Sequence, residues 1–272
     1  MKQQVSGVGM GTGGAPPVVR GPADRYRSNL EALGRAQKPS RGTPAYSRLV
    51  NRPAGRRVAA VAEVVGLSPN GVTAISALSS ATGLALLVAV QPSWWLGVAV
   101  SCLLAAGYVL DSADGQLARL RGGGSLSGEY LDHTVDCVKT CAFHLAVLVS
   151  WYRFPPTDDR SWLLAPILFL VVDMLSYFGL VTMPLLRRLH GGTRGPASVP
   201  TAVPTAEHPL RMWVILPTDY GVFCWVFLLM AWPAAFAAGY TALFVVNALV
   251  LVPVLAKWWR ELGDMDATGV RS

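Results

Sequence analysis

Residues 111–136 read DSADGQLARLRGGGSLSGEYLDHTVD, and apolar runs long enough to cross a membrane flank this stretch on both sides. Four carboxylates stand in it: Asp111, Asp114, Asp132 and Asp136. A spacing of three puts Asp111 and Asp114 on one helical face, and a spacing of four does the same for Asp132 and Asp136. Gly122, Gly123 and Gly124 let the first helix end and the second return. The expected result is two carboxylate pairs facing each other at a membrane surface. Acids on membrane helices are costly, which makes them a functional hypothesis from the outset.

The composition agrees with a membrane chain. Over 272 residues the mean hydropathy is +0.41 and only 14% are charged, too apolar for a soluble domain of this length. The net charge of +7 does not imply nucleic acid: the basic residues lie between apolar runs, and no recognition motif accompanies them. Cys102, Cys137, Cys141 and Cys224 fall in apolar or helical stretches with no CxxC and no zinc spacing. The first residues lack an apolar signal core, so no cleaved leader is expected.

The expected fold is all-α and integral to the membrane, with six transmembrane helices preceded by an interfacial amphipathic helix. Residues 1–42 read as a polar, disordered tail, with a short helix at 24–37. Residues 43–66 form the interfacial helix, with Val58, Val61, Ala62 and Val65 as its apolar stripe. The membrane domain covers 67–262, with spans at 71–91, 94–117, 126–151, 161–186, 219–237 and 239–257, and 263–272 is a C-terminal tail. Lys and Arg concentrate in the N-terminal tail, the 118–125 link, the 187–218 loop and the C-terminus. That bias puts both termini and the carboxylate cluster on the cytoplasmic side of the cell membrane.

Four close carboxylates repel one another unless cations sit between them or some are protonated. A set of oxygens with no His or Cys partner favours Mg²⁺ or Mn²⁺ over zinc. Two such ions suit a diphosphate, and the chemistry that fits is phosphoryl or phosphatidyl transfer. Gly115 and Gly128 leave room for a ligand near the backbone, and Arg119 is placed to meet a phosphate or to tie the carboxylates together. Glu129, His133 and Lys139 read first as an ordinary polar helix end.

The stretch resembles the CDP-alcohol phosphotransferase motif, D-x2-D-G-x2-A-R-x8-G-x3-D-x3-D. Asp111, Asp114, Gly115, Ala118, Arg119, Gly128, Asp132 and Asp136 keep every spacing. The likeness extends to the six-span layout, the interfacial helix and the Pro69-Asn70 helix start followed by Thr73. It implies Asp111, Asp114 and Asp132 as metal ligands, with Asp136 completing the metal site and acting as general base. It implies a CDP site built from Asp111, Asp114, Gly115, Ala118, Arg119, Gly128 and Asp132, with Asn70 and Thr73 on the nucleotide side. The implied reaction moves a substituted phosphate from a CDP-linked lipid donor, most often CDP-diacylglycerol, to an alcohol acceptor, with CMP released. It also implies a homodimer.

Bacterial relatives using phosphorylated acceptors often carry S-Y-x-[KR]-A-R-A-E in the fourth span. Here the run is Ser176-Tyr177-Phe178-Gly179-Leu180-Val181, a departure that counts against a standard phosphorylated acceptor. Lys139, Arg187, Arg188, Arg194 and Arg211 are the remaining candidates for an acceptor's phosphate or carboxylate, with topology and headgroup contact as their alternative role. The alternative to an enzyme is a membrane transporter or a degenerate scaffold that binds nucleotide lipid. A transporter would show internal repeats or paired broken helices, and a scaffold would have lost a motif aspartate.

Overall fold

The structure is a computed structural model that describes residues 21–36, 43–192 and 211–269. The N-terminal 1–20 and the loop 193–210 with Arg194 lie outside the described residues. All regular structure among the described residues is helical.

Within the segment expected to be a tail, α1 (Pro22–Arg35) is a helix. Proline at its first turn is tolerated because that N–H has no partner to lose. Tyr26, Leu30 and Leu33 make a stripe that packs on the next helix, with Leu33 fully buried. That helix, α2 (Arg52–Val64), continues from a π-helical turn at Ser47–Asn51. Its valine stripe is divided by the fold. Gly55, Ala59, Ala60 and Ala62 face the protein, while Val61 and Val65 are 50% and 63% exposed. Close approach decides this: a Cβ on Gly55 would stand 2.8 Å from the Ser112 hydroxyl, so only the small face fits there.

Among the described residues, five helices are long and apolar enough to cross a membrane. They are α3 (Pro69–Ala89), α4 (Trp94–Leu120), α5 (Leu126–Arg153), α6 (Leu164–Gly192, entered through a 3₁₀ turn at Arg160–Leu163) and the C-terminal Pro233–Gly269. The first three begin on serine caps: Ser68, Ser93 and Ser125 accept from the backbone N–H of Gly71, Leu96 and Gly128 at 3.0, 3.2 and 3.0 Å. After the one-turn α7 (Arg211–Val214), the expected 219–237 span is a shorter helix. It comprises α8 (Tyr220–Val226) and a 3₁₀ stretch, Phe227–Ala231. Trp232 leaves the helical region and Pro233, with no N–H to donate, starts the final helix, α9 (Pro233–Gly269). Trp232 is therefore the break, and residues 233–237 belong to α9 and not to the fifth span.

Two apolar clusters hold the bundle. One gathers Leu87, Val100, Leu104, Phe143, Phe169, Phe227 and Tyr240 from α3, α4, α5, α6, the 227–231 stretch and α9. The other joins Leu33, Ala59, Val72, Ala113 and Leu117. Along α4 the polar stretch around Asp111 lies between them. A buried acid outside the motif, Asp219, ties distant segments together: it accepts from the Ser47 and Gly221 backbone N–H groups at 2.7 and 2.9 Å and from the Tyr108 hydroxyl at 3.2 Å.

Small residues set the helix separations. On α4, a Cβ at Gly97 would stand 2.3 Å from the Phe227 carbonyl oxygen. A backbone atom cannot swing aside as a side chain can, so Gly97→Ala should cost about 1–3 kcal/mol. The melting midpoint in detergent should fall; an unchanged midpoint would show that α4 and the 220–231 segment are not held at this distance.

Candidate active site

Asp111 and Asp114 come from the C-terminal half of α4, Asp132 and Asp136 from the first turns of α5. Gly122 and Gly123, at φ +93° and +124°, turn the chain between them in a conformation that L side chains rarely adopt. No Cβ at either glycine would meet an atom within 4 Å, so backbone conformation rather than space requires glycine there.

The cluster has a cation of its own. The Lys139 ammonium is hydrogen-bonded to Asp111, lies 2.9 Å from Asp136 and reaches the Ser76 hydroxyl at 3.5 Å. Asp114, only 4% exposed, is held separately. Its carboxylate accepts from the Thr73 hydroxyl at 2.6 Å and from the Gly115 backbone N–H at 2.5 Å. Thr73, expected on the nucleotide side, thus positions a motif aspartate. Asn70 adjoins motif Gly128, its Oδ1 standing 3.3 Å from where a Cβ on that glycine would be. Any larger residue at Gly128 would press on it.

One tight ligand grouping is present among the described residues. A ligand atom of each of Asp132, His133 and Asp136 lies within 4.8 Å of the others. Asp111 and Asp114 are not part of that grouping: Asp111 is bonded to Lys139, and Asp114 to Thr73 and the Gly115 N–H. His133 is an addition to the set expected from sequence, and its contribution bears on metal preference, since imidazole suits softer ions than Mg²⁺. Its backbone carbonyl also accepts the Tyr177 hydroxyl of α6.

Arg119 lies beside Gly115, its guanidinium 3.6 Å from where a Cβ would be, and its buried Nε has no hydrogen-bond partner in the structure. A buried guanidinium N–H left unpaired is costly, and a phosphate is the kind of group it is suited to bind. Ala118, half-buried, stands against Gly124 at the link.

The other expected cations do not join this cluster. Arg187 makes a two-pronged pair with Glu261 at 2.6 and 2.8 Å, and Arg188 lies 3.5 Å from Glu129. Arg211 opens α7, and its side chain lies outside the described residues. Lys139 is the cation that sequence reading undervalued. Its spacing of three from Asp136 signalled the pairing, but the reach across to Asp111 depends on how α4 and α5 pack.

A cavity of about 170 Å³ is lined by Asp111, Asp136, Lys139 and Ser80 and by the Tyr108, Tyr177 and Tyr220 rings. A second, of about 270 Å³, shares Thr140, Tyr177 and Tyr220 with it and runs between α6 and α9.

Acids bridged across two membrane helices beside a small cavity, with the unpartnered Arg119 Nε near the motif glycine, make up the candidate site. The chain belongs to the CDP-alcohol phosphatidyltransferase family, whose profile matches residues 67–259; it is a multi-pass membrane enzyme that transfers phosphatidyl groups. Phosphatidylinositol phosphate synthase of Mycobacterium tuberculosis is 28% identical over 207 residues, covering 76% of this chain and 86% of that protein. The protein of that name from Mycolicibacterium smegmatis is 29% identical over 162 residues, 59% of this chain and 65% of its own length. A solved structure of the Mycobacterium tuberculosis enzyme in complex with manganese and citrate is 28% identical with a TM-score of 0.47, covering 74% of this chain and 87% of that one.

Lys139→Met would leave Asp111 and Asp136 facing each other without their shared cation. Breaking a buried pair costs several kcal/mol, and partial exposure here reduces that to about 1–3 kcal/mol. The metal-free protein should melt earlier, and Mn²⁺ should recover more of the loss than it adds to wild type. Equal metal effects on both proteins would mean that the ammonium and the metal do not serve the same carboxylates.

Proposed function

We propose that this protein transfers a phosphatidyl group from CDP-diacylglycerol to the hydroxyl of an alcohol acceptor, releasing CMP, in phospholipid biosynthesis. The observation that carries the reading is the placement of Asp136. Its carboxylate shares a cavity wall with Asp111 and is steadied by Lys139 at 2.9 Å. The curated relatives, named phosphatidylinositol phosphate synthases, agree with a lipid-linked product.

Asp111, Asp114, Asp132 and Asp136 hold the divalent ions, two Mg²⁺ or Mn²⁺, with the His133 ring beside the last two. Bound there, the ions supply charge neutralisation for the donor diphosphate. Arg119 receives a phosphate oxygen on its unpaired Nε–H, and Gly115, Ala118 and Gly128 leave the nucleotide close access to the backbone. Asn70 and Thr73 line the nucleotide side. Thr73 also keeps Asp114 turned inward. Asp136 accepts the proton of the acceptor hydroxyl. The oxygen forms a new bond to the lipid-bearing phosphorus, the bond to the bridging oxygen of CMP breaks, and CMP leaves with that electron pair. Lys139 keeps Asp136 oriented before the acceptor arrives. Arg187, Arg188 and Arg211 stand as headgroup or acceptor contacts at the edge of the site.

In the membrane, α2 lies in the interface with Val61 and Val65 against lipid, and Tyr220–Ala231 makes a sixth, short crossing beside the five long helices. Both termini and the aspartates face the cytoplasm of a cell membrane, and two copies of the chain pair as a homodimer.

The test uses purified protein in detergent with CDP-diacylglycerol, Mg²⁺ or Mn²⁺ and a panel of alcohols, with CMP release as readout. Asp136→Asn should lower turnover by about 10²–10⁴-fold, the range for loss of a general base, while donor-induced thermal stabilisation persists. Full activity in Asp136→Asn would remove the proton-transfer role.

A further inference from the structure

The acceptor must reach Asp136 through space that the structure provides, and that space is not suited to a phosphate. The 270 Å³ cavity adjoining the catalytic one is walled by Leu180, Phe223, Leu251, Val254 and Trp258. Its polar members are neutral hydroxyls and an amide, apart from one acid, Asp173. Several of these are already committed. The Ser176 hydroxyl donates to the Val172 carbonyl at 2.9 Å, the Asn247 amide to the Leu243 and Pro217 carbonyls at 2.8 and 3.1 Å, and Asp173 pairs with the His144 ring at 2.9 Å. Among the described residues no Lys or Arg lines this cavity, and Lys139, the one cation of its neighbour, already bridges Asp111 and Asp136.

The α6 wall is closed to a longer side chain. A Cβ at Gly179 would stand 1.9 Å from the Trp258 ring of α9. A phosphate on an acceptor lying in this cavity would face Asp173, neutral hydroxyls and apolar carbon, at a desolvation cost with no ion pair among the described residues to offset it. A divalent ion at the aspartates adds positive charge at the end where the hydroxyl attacks and leaves the far cavity as it is.

We propose that the acceptor is an uncharged alcohol with an apolar body, a hydroxyl-bearing lipid of the bilayer, whose hydroxyl reaches Asp136 while its body lies between α6 and α9 against Trp258. The proposal rests on the transferase reading above. The acceptor's O–H proton passes to Asp136, its oxygen bonds to phosphorus and CMP leaves, as for any acceptor.

The experiment compares dioleoylglycerol and hexadecanol, in mixed micelles, with glycerol 3-phosphate, inositol 1-phosphate and serine. CDP-diacylglycerol is the donor in one series and CDP-ethanolamine in another. CMP release with a lipid alcohol should exceed release with any charged acceptor by at least about tenfold. The Val254→Lys variant, which puts a cation in the wall, should raise KM for the lipid alcohol by about tenfold or more. Val252→Met, at an exposed position of the same helix outside the cavity, should change it little. Donor-induced thermal stabilisation should be kept in both variants. Faster release with a phosphorylated acceptor or with serine would overturn the assignment while leaving the transferase intact, because CMP would still be made. No release with any acceptor and either donor, together with no donor-induced stabilisation, would overturn both. Should Val254→Lys fail to fold, the wild-type acceptor panel decides alone.

Discussion

Two carboxylates from different helices share one ammonium. Lys139 bridges Asp111 of α4 and Asp136 of α5, and the rest of the site follows from that junction. Without a cation between them, two acids part-buried among membrane helices would repel and draw water inward. With it, α4 and α5 can hold their acids at the same depth, and the substrate cavity opens on the side where Tyr108, Tyr177 and Tyr220 close over them. Asp114 shows the other way to keep an acid in such a place. It is supported by neutral donors, Thr73 and a backbone N–H, and so remains available without competing for Lys139.

Close helix approach makes this possible. Ser76 of α3 donates to the Gly107 carbonyl of α4 at 2.8 Å, and Ser79 to the Leu103 carbonyl at 2.7 Å. A Cβ on Gly107 would collide with the Ser80 hydroxyl at 2.4 Å. Small and hydroxylated residues let membrane helices touch backbone to backbone, where lipid offers no hydrophobic driving force between them. Thr73 reaches Asp114 because α3 is that near.

Much of this was legible in the sequence, because periodicity and local spacing decide it. The motif spacing placed the aspartates on two helix faces, and Ser68, Ser93 and Ser125 sit where the serine-capped helices begin. What escaped were features that depend on packing between elements. Val61 and Val65 share a helical stripe with Ala62, yet the fold separates them, since the contact with Ser112 admits only small residues. The hydropathy of 219–237 is continuous, so the break before Pro233 is masked by apolar residues on both sides. In sequence Asp219 is only the first residue of the expected fifth span, and the return of Ser47 and Tyr108 to it shows a buried tether. Glycine at 179 reads as a missing basic residue until Trp258, 79 positions later by number, is seen against it.

The glycine link between α4 and α5 has a meaning beyond its turn. Gly122 and Gly123 touch nothing that a Cβ would disturb, so the link transmits no spacing to the aspartates on either side. The distance between the two carboxylate pairs is stored across the bundle, in Lys139, Thr73 and the small-residue seams, and not along the chain. The connection carries no packing of its own: what it asks of Gly122 and Gly123 is a backbone conformation, whereas a methyl group added in a seam meets its neighbour directly.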